Sequence, residues 1–210
     1  MIEAFIFDLD GVIVSTDRLH YEAWKTIADQ EHIEFNESIN NRLRGVSRME
    51  SLDIILEKGH KQYTLEEKDH LATLKNTIYR SLLKNLSPND VLPGVIEVLH
   101  HLKEKGIKVA IGSSSKNAPT ILAYIGLTGM FDAIADGNDI TRSKPFPDVF
   151  LKAAEKLNVS SSCCLVVEDA EAGIEAAKRA GMKSIALSDA RKSIYADYRF
   201  DDIRELLSLL

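Results

Sequence analysis

The sequence predicts an α/β protein in which a doubly wound, Rossmann-like parallel sheet forms the core and an all-helical cap domain is inserted after the first strand. Two observations predict this class. From residue 88 onward, short apolar runs alternate with segments whose apolar residues recur at helical spacing. Between residues 15 and 87 the helical spacing continues and no convincing strand occurs. We therefore expect a core of residues 1–14 and 88–210 and a cap of residues 15–87.

Local patterns predict the first strand and the helices of the cap. Residues 4–7 are a short apolar run that ends at an aspartate, and residues 17–30 carry apolar side chains on one helical face. Residues 47–50 and 64–67 each have the Ser/Thr-x-x-Glu pattern of a capping box. Each box predicts the start of a cap helix, and apolar residues at helical spacing make the second of these helices long.

The second half of the chain alternates between helix and strand. Pro88, Pro93 and Gly94 first break the chain. The predicted strands then span residues 108–111, 133–135, 164–167 and 184–187, and the predicted helices span 95–105, 118–125, 147–157, 172–180 and 203–209. In open parallel sheets, ligands bind beyond the carboxyl ends of the strands. Residues that directly follow the strands are therefore the first candidates for chemistry.

Composition and charge narrow the possible partners. The chain has 210 residues, 45% of them apolar, and a formal net charge of -6. An acidic balance does not attract nucleic acid or an anionic membrane. No apolar run is long enough to span a bilayer, and the first residues lack the basic and apolar parts of a signal peptide. We expect a cytoplasmic monomer in which a local cationic pocket holds any anionic substrate.

The two cysteines, Cys163 and Cys164, are neighbours in a strand-like run. Neighbouring side chains of a strand point to opposite faces and cannot form an ordinary disulfide. We expect two free thiols in a reducing compartment.

Four acids follow two of the predicted strands: Asp8 and Asp10 the first, and Glu168 and Asp169 the fourth. Four carboxylates at one edge of a sheet repel one another unless a cation offsets them. Mg²⁺ prefers oxygen ligands and commonly combines one or two carboxylates with water and a phosphate. The pattern predicts a Mg²⁺ site, with Lys144 as a further positive charge.

The segment from Asp8 to Gly11 suits phosphoryl transfer. In an extended chain, Asp8 and Asp10 project to the same side. One carboxylate can attack phosphorus while the other moves a proton, and Gly11 lets the backbone turn close to a phosphate. Ser113, after the second strand, together with Lys144 and backbone N–H groups, would stabilise the transferred group.

These motifs together resemble the haloacid dehalogenase superfamily of phosphotransferases over essentially the whole chain. The signature is Asp-x-Asp-Gly after the first strand, a Ser or Thr after the next core strand, a Lys, and a closing acid pair. Here these are Asp8-Leu9-Asp10-Gly11, Ser113, Lys144 and Glu168-Asp169. The helical insertion resembles the family's first type of cap.

Within the superfamily, the chain is similar to the β-phosphoglucomutases. The matching segments are Asp10-Gly11-Val12-Ile13, His20-Tyr21-Glu22-Ala23-Trp24, Arg44-Gly45-Val46-Ser47-Arg48, Lys75-Asn76, Ser113-Ser114-Ser115-Lys116-Asn117 and Ser143-Lys144-Pro145. This resemblance implies conversion of β-D-glucose 1-phosphate to glucose 6-phosphate through β-glucose 1,6-bisphosphate.

The resemblance also implies residue roles. Asp8 would be the nucleophile and Asp10 the general acid/base, with Ser113, Lys144 and His20 completing the catalytic group. Asp8, the Asp10 carbonyl and Asp169 would bind Mg²⁺, with Glu168 nearby. Arg48 would hold the distal phosphate of the sugar phosphate. The other implied substrate-binding residues are Trp24, Gly45, Val46, Lys75, Ser115, Lys116 and Asn117.

The chain departs from the family pattern at Ser15, where an acid often precedes the threonine, and its resemblance is weak after Ala186. Two other functions compete with the mutase. A phosphatase of small sugar phosphates would use the same core with water as the acceptor. A non-catalytic metabolite-binding protein would have no use for a reactive carboxylate beside an acid/base.

Overall fold

A six-stranded parallel sheet forms the centre of the computed structural model, which describes residues 2–210. The strands are β1 (Ala4–Phe7), β2 (Lys108–Gly112), β3 (Ala133–Ala135), β4 (Cys164–Glu168), β5 (Lys183–Ala186) and β6 (Tyr198–Arg199), and their order is β3-β2-β1-β4-β5-β6. Phe7 of β1 is in register with Ile111 of β2 and with Val167 of β4. The carboxyl ends of these three central strands therefore lie at one edge.

Eight α-helices surround or extend this sheet. They are α1 (Asp17–Gln30), α2 (Glu37–Asn41), α3 (Arg48–Leu56), α4 (Leu65–Leu83), α5 (Val95–Glu104), α6 (Ala118–Tyr124), α7 (Asp148–Leu157) and α8 (Glu171–Arg179). None of the helices that the structure describes is both long enough and apolar enough to cross a membrane.

The two faces of the sheet are buried under different helices. Phe5 and Phe7 of β1 belong to a cluster that includes side chains of α5 and α6. Ile6 points to the other face and belongs to a cluster with Phe150 of α7 and Ala177 of α8. Burial of β1 on both faces explains why its sequence is uniformly apolar. The predicted doubly wound fold is confirmed.

The helices α1 to α4 form the cap and share a hydrophobic cluster of their own, with Trp24, Leu52 and Leu71 among its buried members. The capping box that precedes α3 is present as predicted, because Ser47 and Glu50 accept hydrogen bonds from each other's backbone N–H groups. The capping box at the start of α4 is present as well. A bridge between Val14 and Val91 brings the two connections of the cap side by side.

Several local expectations were wrong. Helix α2 and strand β6 were not predicted, and the closing segment Ile203–Leu209 is a 3₁₀-helix. Cys163 ends a 3₁₀ turn and only Cys164 begins β4, although both thiols are free as expected. Strand β6 is two residues long, and it exists because its backbone pairs with β5, which a local sequence pattern cannot reveal.

Candidate active site

The carboxyl edge of the sheet and the cap enclose a cleft of about 800 Å³. Almost every residue implied by the resemblance lines it: Asp8, Asp10, His20, Trp24, Gly45, Val46, Arg48, Lys75, Ser113, Ser115, Lys116, Asn117, Lys144 and Asp169. Glu168 is the exception, since it is fully buried behind the cleft wall. The topology therefore brings together side chains that are far apart in the sequence.

Asp8 and Lys144 form the deepest part of this cleft. Asp8 directly follows β1, and its backbone N–H donates to the Val167 carbonyl of β4 at 2.9 Å, which fixes the carboxylate at the sheet edge. Lys144 comes from the loop between β3 and α7 and is 1% exposed. Its Nζ donates to Asp8 Oδ1 and to Glu168 Oε1, both at 2.5 Å.

These two acids stabilise the protonated form of Lys144. Burial alone would lower the pKa of the Lys144 ammonium, but the Asp8 and Glu168 carboxylates outweigh burial, and the pKa is raised. The ammonium therefore remains protonated. A phosphoryl group on Asp8 would lie beside this fixed positive charge.

Asp8, Glu168 and Asp169 form a buried carboxylate cluster in which one oxygen of each lies within 4.8 Å of the others. Burial, and then the neighbouring carboxylates, raise the pKa values of Glu168 and Asp169. Lys144 supplies only one positive charge to this cluster. The donor set therefore fits a hard divalent cation, which would restore the acids to their charged form.

Glu168 is already engaged by the protein. Its Oε2 accepts hydrogen bonds from the backbone N–H groups of Asp169 and Ala170, both at 3.0 Å, while Oε1 accepts from Lys144. These contacts leave Asp8 and Asp169 as the acids whose oxygens are free to face a cation, with Glu168 as their support.

Two glycines make room for the acids. Gly11 has a φ of +87°, and a Cβ there would lie 2.1 Å from Asp169 Oδ2. Gly173 of α8 is equally close to Glu168, since a Cβ would lie 1.9 Å from Oε1. Any larger residue at either position would displace a carboxylate of the cluster.

Asp10 occupies a different environment from Asp8. Its Oδ1 accepts a hydrogen bond from the Thr16 hydroxyl, so the side chain is turned toward the connection to the cap. Burial and the Asp8 charge raise the pKa of Asp10 to about 7, against the opposing effect of Thr16. A carboxyl group with this pKa can both accept and donate a proton near neutral pH.

A group of buried cap side chains stands beside Asp10. Lys75 Nζ lies 2.8 Å from His20 Nδ1, and the His20 ring packs against Tyr79 with centroids 4.1 Å apart. The Lys75 ammonium also lies over the rings of Tyr79 and Trp24, at 4.4 and 4.8 Å. Burial lowers the pKa of both His20 and Lys75, and Arg48 lowers both further. The lowered pKa favours the neutral form of His20, whose Nδ1 can accept a hydrogen bond from Lys75.

The loop after β2 forms a third wall of polar groups. Ser113 Oγ accepts from the backbone N–H of Ser115 at 3.1 Å, and Ser115 Oγ accepts from that of Asn117 at 3.2 Å. The Asn117 amide donates to Asn76 Oδ1 at 3.0 Å, which joins this core loop to the cap.

Three cations line the cleft without a carboxylate partner. Within residues 2–210, Arg48, Lys75 and Lys116 form no ion pair, whereas Lys144 forms two. Arg48 is half-buried, and burial lowers its pKa. Unpaired cations in a partly desolvated cleft favour an anionic ligand.

Sequence reasoning missed some residues of the site. The sequence patterns assign no role to Thr16, Asn76 or Tyr79, which contact Asp10, Asn117 and His20 in the structure. The spacing of Lys75 and Tyr79 on one helix face was an available signal. Asp136 directly follows β3, but it accepts a hydrogen bond from the Asn138 backbone N–H and does not line the cleft.

Several known proteins are similar in sequence to this chain. Residues 2–181 match the family model of haloacid dehalogenase-like hydrolases. The chain is 45% identical to β-phosphoglucomutase of Bacillus subtilis strain 168 over 198 residues, which are 93% of this chain and 88% of that protein. It is 34% identical to a phosphorylated carbohydrates phosphatase of Thermotoga maritima over 190 residues, which cover 88% of this chain and 84% of that protein.

A solved structure shares the complete fold. The crystal structure of β-phosphoglucomutase from Clostridium difficile matches with a TM-score of 0.93 and 43% identity, and the match covers 98% of this chain and 93% of that one. The resemblance inferred from the motifs is confirmed: the chain belongs to the haloacid dehalogenase-like hydrolase family.

Proposed function

We propose that this enzyme is a β-phosphoglucomutase, which interconverts β-D-glucose 1-phosphate and glucose 6-phosphate through β-glucose 1,6-bisphosphate. The observation that carries the proposal is the set of unpaired cations, Arg48, Lys75 and Lys116, in the cleft that ends at Asp8. A phosphoryl group at Asp8 already has Lys144 beside it. Further cations are explained by a substrate that carries a second phosphate.

Arg48 is the best candidate for the clamp on that second phosphate. Its guanidinium presents a planar fork that matches phosphate oxygens, and it has no competing carboxylate among the described residues. Its position at the first residue of α3 also favours an anion, because backbone N–H groups at a helix start point outward.

Asp8 and Asp10 would divide the chemistry between them. An Asp8 oxygen attacks the phosphorus, the bond from phosphorus to the leaving oxygen breaks, and an aspartyl-phosphate forms. Asp10 donates a proton to the leaving oxygen of the sugar. In the reverse sense, Asp10 takes the proton from a sugar hydroxyl as that oxygen attacks the aspartyl-phosphate and frees Asp8.

We propose Mg²⁺ as the divalent cation of the site. Asp8, Asp169 and the backbone carbonyl of Asp10 would hold it, with Glu168 in support. When bound, the ion would neutralise charge on the transferred phosphoryl group. Ser113 and Lys144 would bind the oxygens of the same group from the protein side.

We propose that the cap, residues 15–87, moves as a unit on the core of residues 1–14 and 88–210. Most buried apolar side chains of the cap form a cluster that contains no core residue, which supports this division, while Ala23, Tyr79 and Leu83 pack with the core. A mutase must hand its phosphoryl group to a sugar and not to water, and a closed cap would exclude water from Asp8. His20 and Lys75 are placed to couple cap closure to Asp10.

Two simpler properties belong to the same proposal. The residues given roles in the chemistry all belong to one chain, so the proposed site needs no second subunit, and we propose a monomer. Cys163 and Cys164 are free, which suits the cytoplasm.

A product assay tests the proposal. The protein is incubated with Mg²⁺, β-glucose 1-phosphate and a trace of the bisphosphate, and glucose 6-phosphate and inorganic phosphate are followed together. Abundant glucose 6-phosphate with little phosphate supports the mutase. Inorganic phosphate without glucose 6-phosphate would replace it with a phosphatase.

A matched pair of variants tests the phosphate clamp in the same assay. Arg48→Ala should depress formation of glucose 6-phosphate far more than slow phosphate release. Arg42→Ala is the control, because Arg42 pairs with Glu57 on the cap surface. Equal loss of both products in Arg48→Ala would show that Arg48 is not the clamp.

A further inference from the structure

Arg44 lies in the cap loop that precedes α3 and has no part in the proposed chemistry. Its guanidinium joins carboxylates from two distant segments. Nη2 is 2.6 Å from Asp17 Oδ2 at the start of α1, and Nη1 is 3.3 Å from Asp189 Oδ2. Asp189 stands in the 3₁₀ turn after β5, so the second ion pair connects the cap to the core.

The loop around Arg44 lies directly on the core. The Gly45 carbonyl accepts a hydrogen bond from Ser114 Oγ at 3.2 Å. A Cβ at Gly45 would lie 3.4 Å from the Cβ of Ala170 and 3.5 Å from that of Ala172, so the backbone is in close contact with the start of α8. Arg48 ends this loop. The ion pair of Arg44 therefore acts on the backbone that carries the proposed phosphate clamp.

The two carboxylates fix the orientation of the Arg44 side chain. Its Nε is buried and has no hydrogen-bond partner among residues 2–210, so the two Nη groups make all of its described polar contacts. Leaving a buried N–H unpaired is unfavourable. The side chain stays in this position because the Asp17 and Asp189 contacts compensate.

We propose that Arg44 is a positioning residue, which holds the loop of residues 44–48 on the core through Asp189, both in the free protein and while a phosphoryl group is on Asp8. The inference rests on the proposed function. When this ion pair is lost, the loop should leave the core more often and water should reach the aspartyl-phosphate. The water oxygen then attacks phosphorus, the bond from phosphorus to Asp8 breaks, and inorganic phosphate and the free carboxylate result.

Asp189→Asn is the variant that isolates the contact. The Asp189 side chain is 63% exposed and lies outside the cleft, so the asparagine variant should fold normally. Lys192→Met is the matched control, because it removes the other ion pair of Asp189, at 3.1 Å, and leaves Arg44 paired. An exposed ion pair changes an opening equilibrium by up to about fivefold.

Two measurements report the opening of the loop and the access of water to Asp8. Hydrogen exchange by mass spectrometry reports opening of residues 42–48 in the free protein. Decay of the phosphoenzyme, formed with acetyl phosphate and Mg²⁺, reports access of water to Asp8. In Asp189→Asn both rates should rise about two- to fivefold, and in Lys192→Met both should match the wild type.

Wild-type exchange of residues 42–48 in Asp189→Asn would overturn the inference, and so would an equal acceleration in Lys192→Met. The exchange measurement involves no sugar and no turnover. It therefore tests the role of Arg44 separately from the mutase proposal, which the product assay decides.

Discussion

Replacement of Lys75 by methionine should make the protein more stable and less active. Lys75 is 2% exposed and forms no ion pair with any described carboxylate. Burial, followed by the charge of Arg48, lowers its pKa well below the ordinary value. Burial of the ammonium in the cap therefore costs hydration free energy.

The expected gain follows from the contacts of the ammonium. An incompletely compensated buried charge costs several kcal/mol. Two cation–π contacts and the hydrogen bond to His20 recover only part of this cost, since the pKa of Lys75 is lowered well below its ordinary value. Methionine has similar length and its sulfur packs well on the Trp24 and Tyr79 rings. We expect Lys75→Met to raise the free energy of unfolding by about 1–3 kcal/mol, within the range found when buried charged groups are replaced by apolar side chains of similar volume.

Urea unfolding at pH 7.5 measures this gain in the free energy of unfolding. A lysine whose pKa is lowered on folding destabilises the folded state at any pH below its unfolded-state pKa of about 10.5, and pH 7.5 lies in that range. The same variant should lose about 10- to 150-fold in kcat/KM for β-glucose 1-phosphate, the worth of one charged hydrogen bond to substrate. Lys68→Met, on the same helix but paired with Asp53 at the surface, is the control and should change neither quantity appreciably. A less stable or fully active Lys75→Met protein would refute this reasoning.

Two further outcomes are expected. Gly11→Ala should lower the free energy of unfolding by about 1–2 kcal/mol, because alanine is strained at a φ of +87°. The variant should also weaken Mg²⁺ binding, measured by calorimetry, because its Cβ would displace Asp169. Gly106→Ala has a similar φ of +70° and free space, so unchanged Mg²⁺ affinity is expected there, and equal weakening in both variants would contradict the steric argument. The contribution of His20 to the free energy of unfolding should fall by about 1.4 kcal/mol per pH unit below pH 6.5, because burial lowers its pKa. The raised pKa values of Asp10, Glu168 and Asp169 give the opposite slope, so the contribution is measured as the difference between wild type and His20→Asn in urea titrations. The same pH dependence in both proteins would contradict it.

Much of the fold could be predicted because its signals are local. The uniformly apolar run of β1 reflects burial on both faces, and the capping boxes at Ser47 and Thr64 fix the helix starts within the segment itself. Strand β6 and the closing 3₁₀-helix depend on partners elsewhere in the chain. Sequence periodicity indicates local secondary structure and does not indicate contacts with distant segments.

The same distinction between local signals and distant contacts applies to the residues of the site. The acids could be predicted because the strand ends of a parallel sheet share one edge, and Lys144 because its loop follows one of these strands. The pairing of His20 with Lys75 arises from the packing of α1 on α4, so only the family resemblance pointed to it. The ion pairs of Arg44 join segments far apart in the sequence, and nothing in its local pattern indicates them.

The central claim is that Asp8 carries the phosphoryl group and delivers it to a sugar. The most direct test is mass spectrometry of the intact and digested protein after exposure to acetyl phosphate and Mg²⁺, followed by addition of β-glucose 1-phosphate. We expect one phosphoryl group on the peptide that contains Asp8, its loss on addition of sugar phosphate with formation of the bisphosphate, and no labelling of a folded Asp8→Asn variant. A label on another residue, or a label that only water removes, would contradict the account.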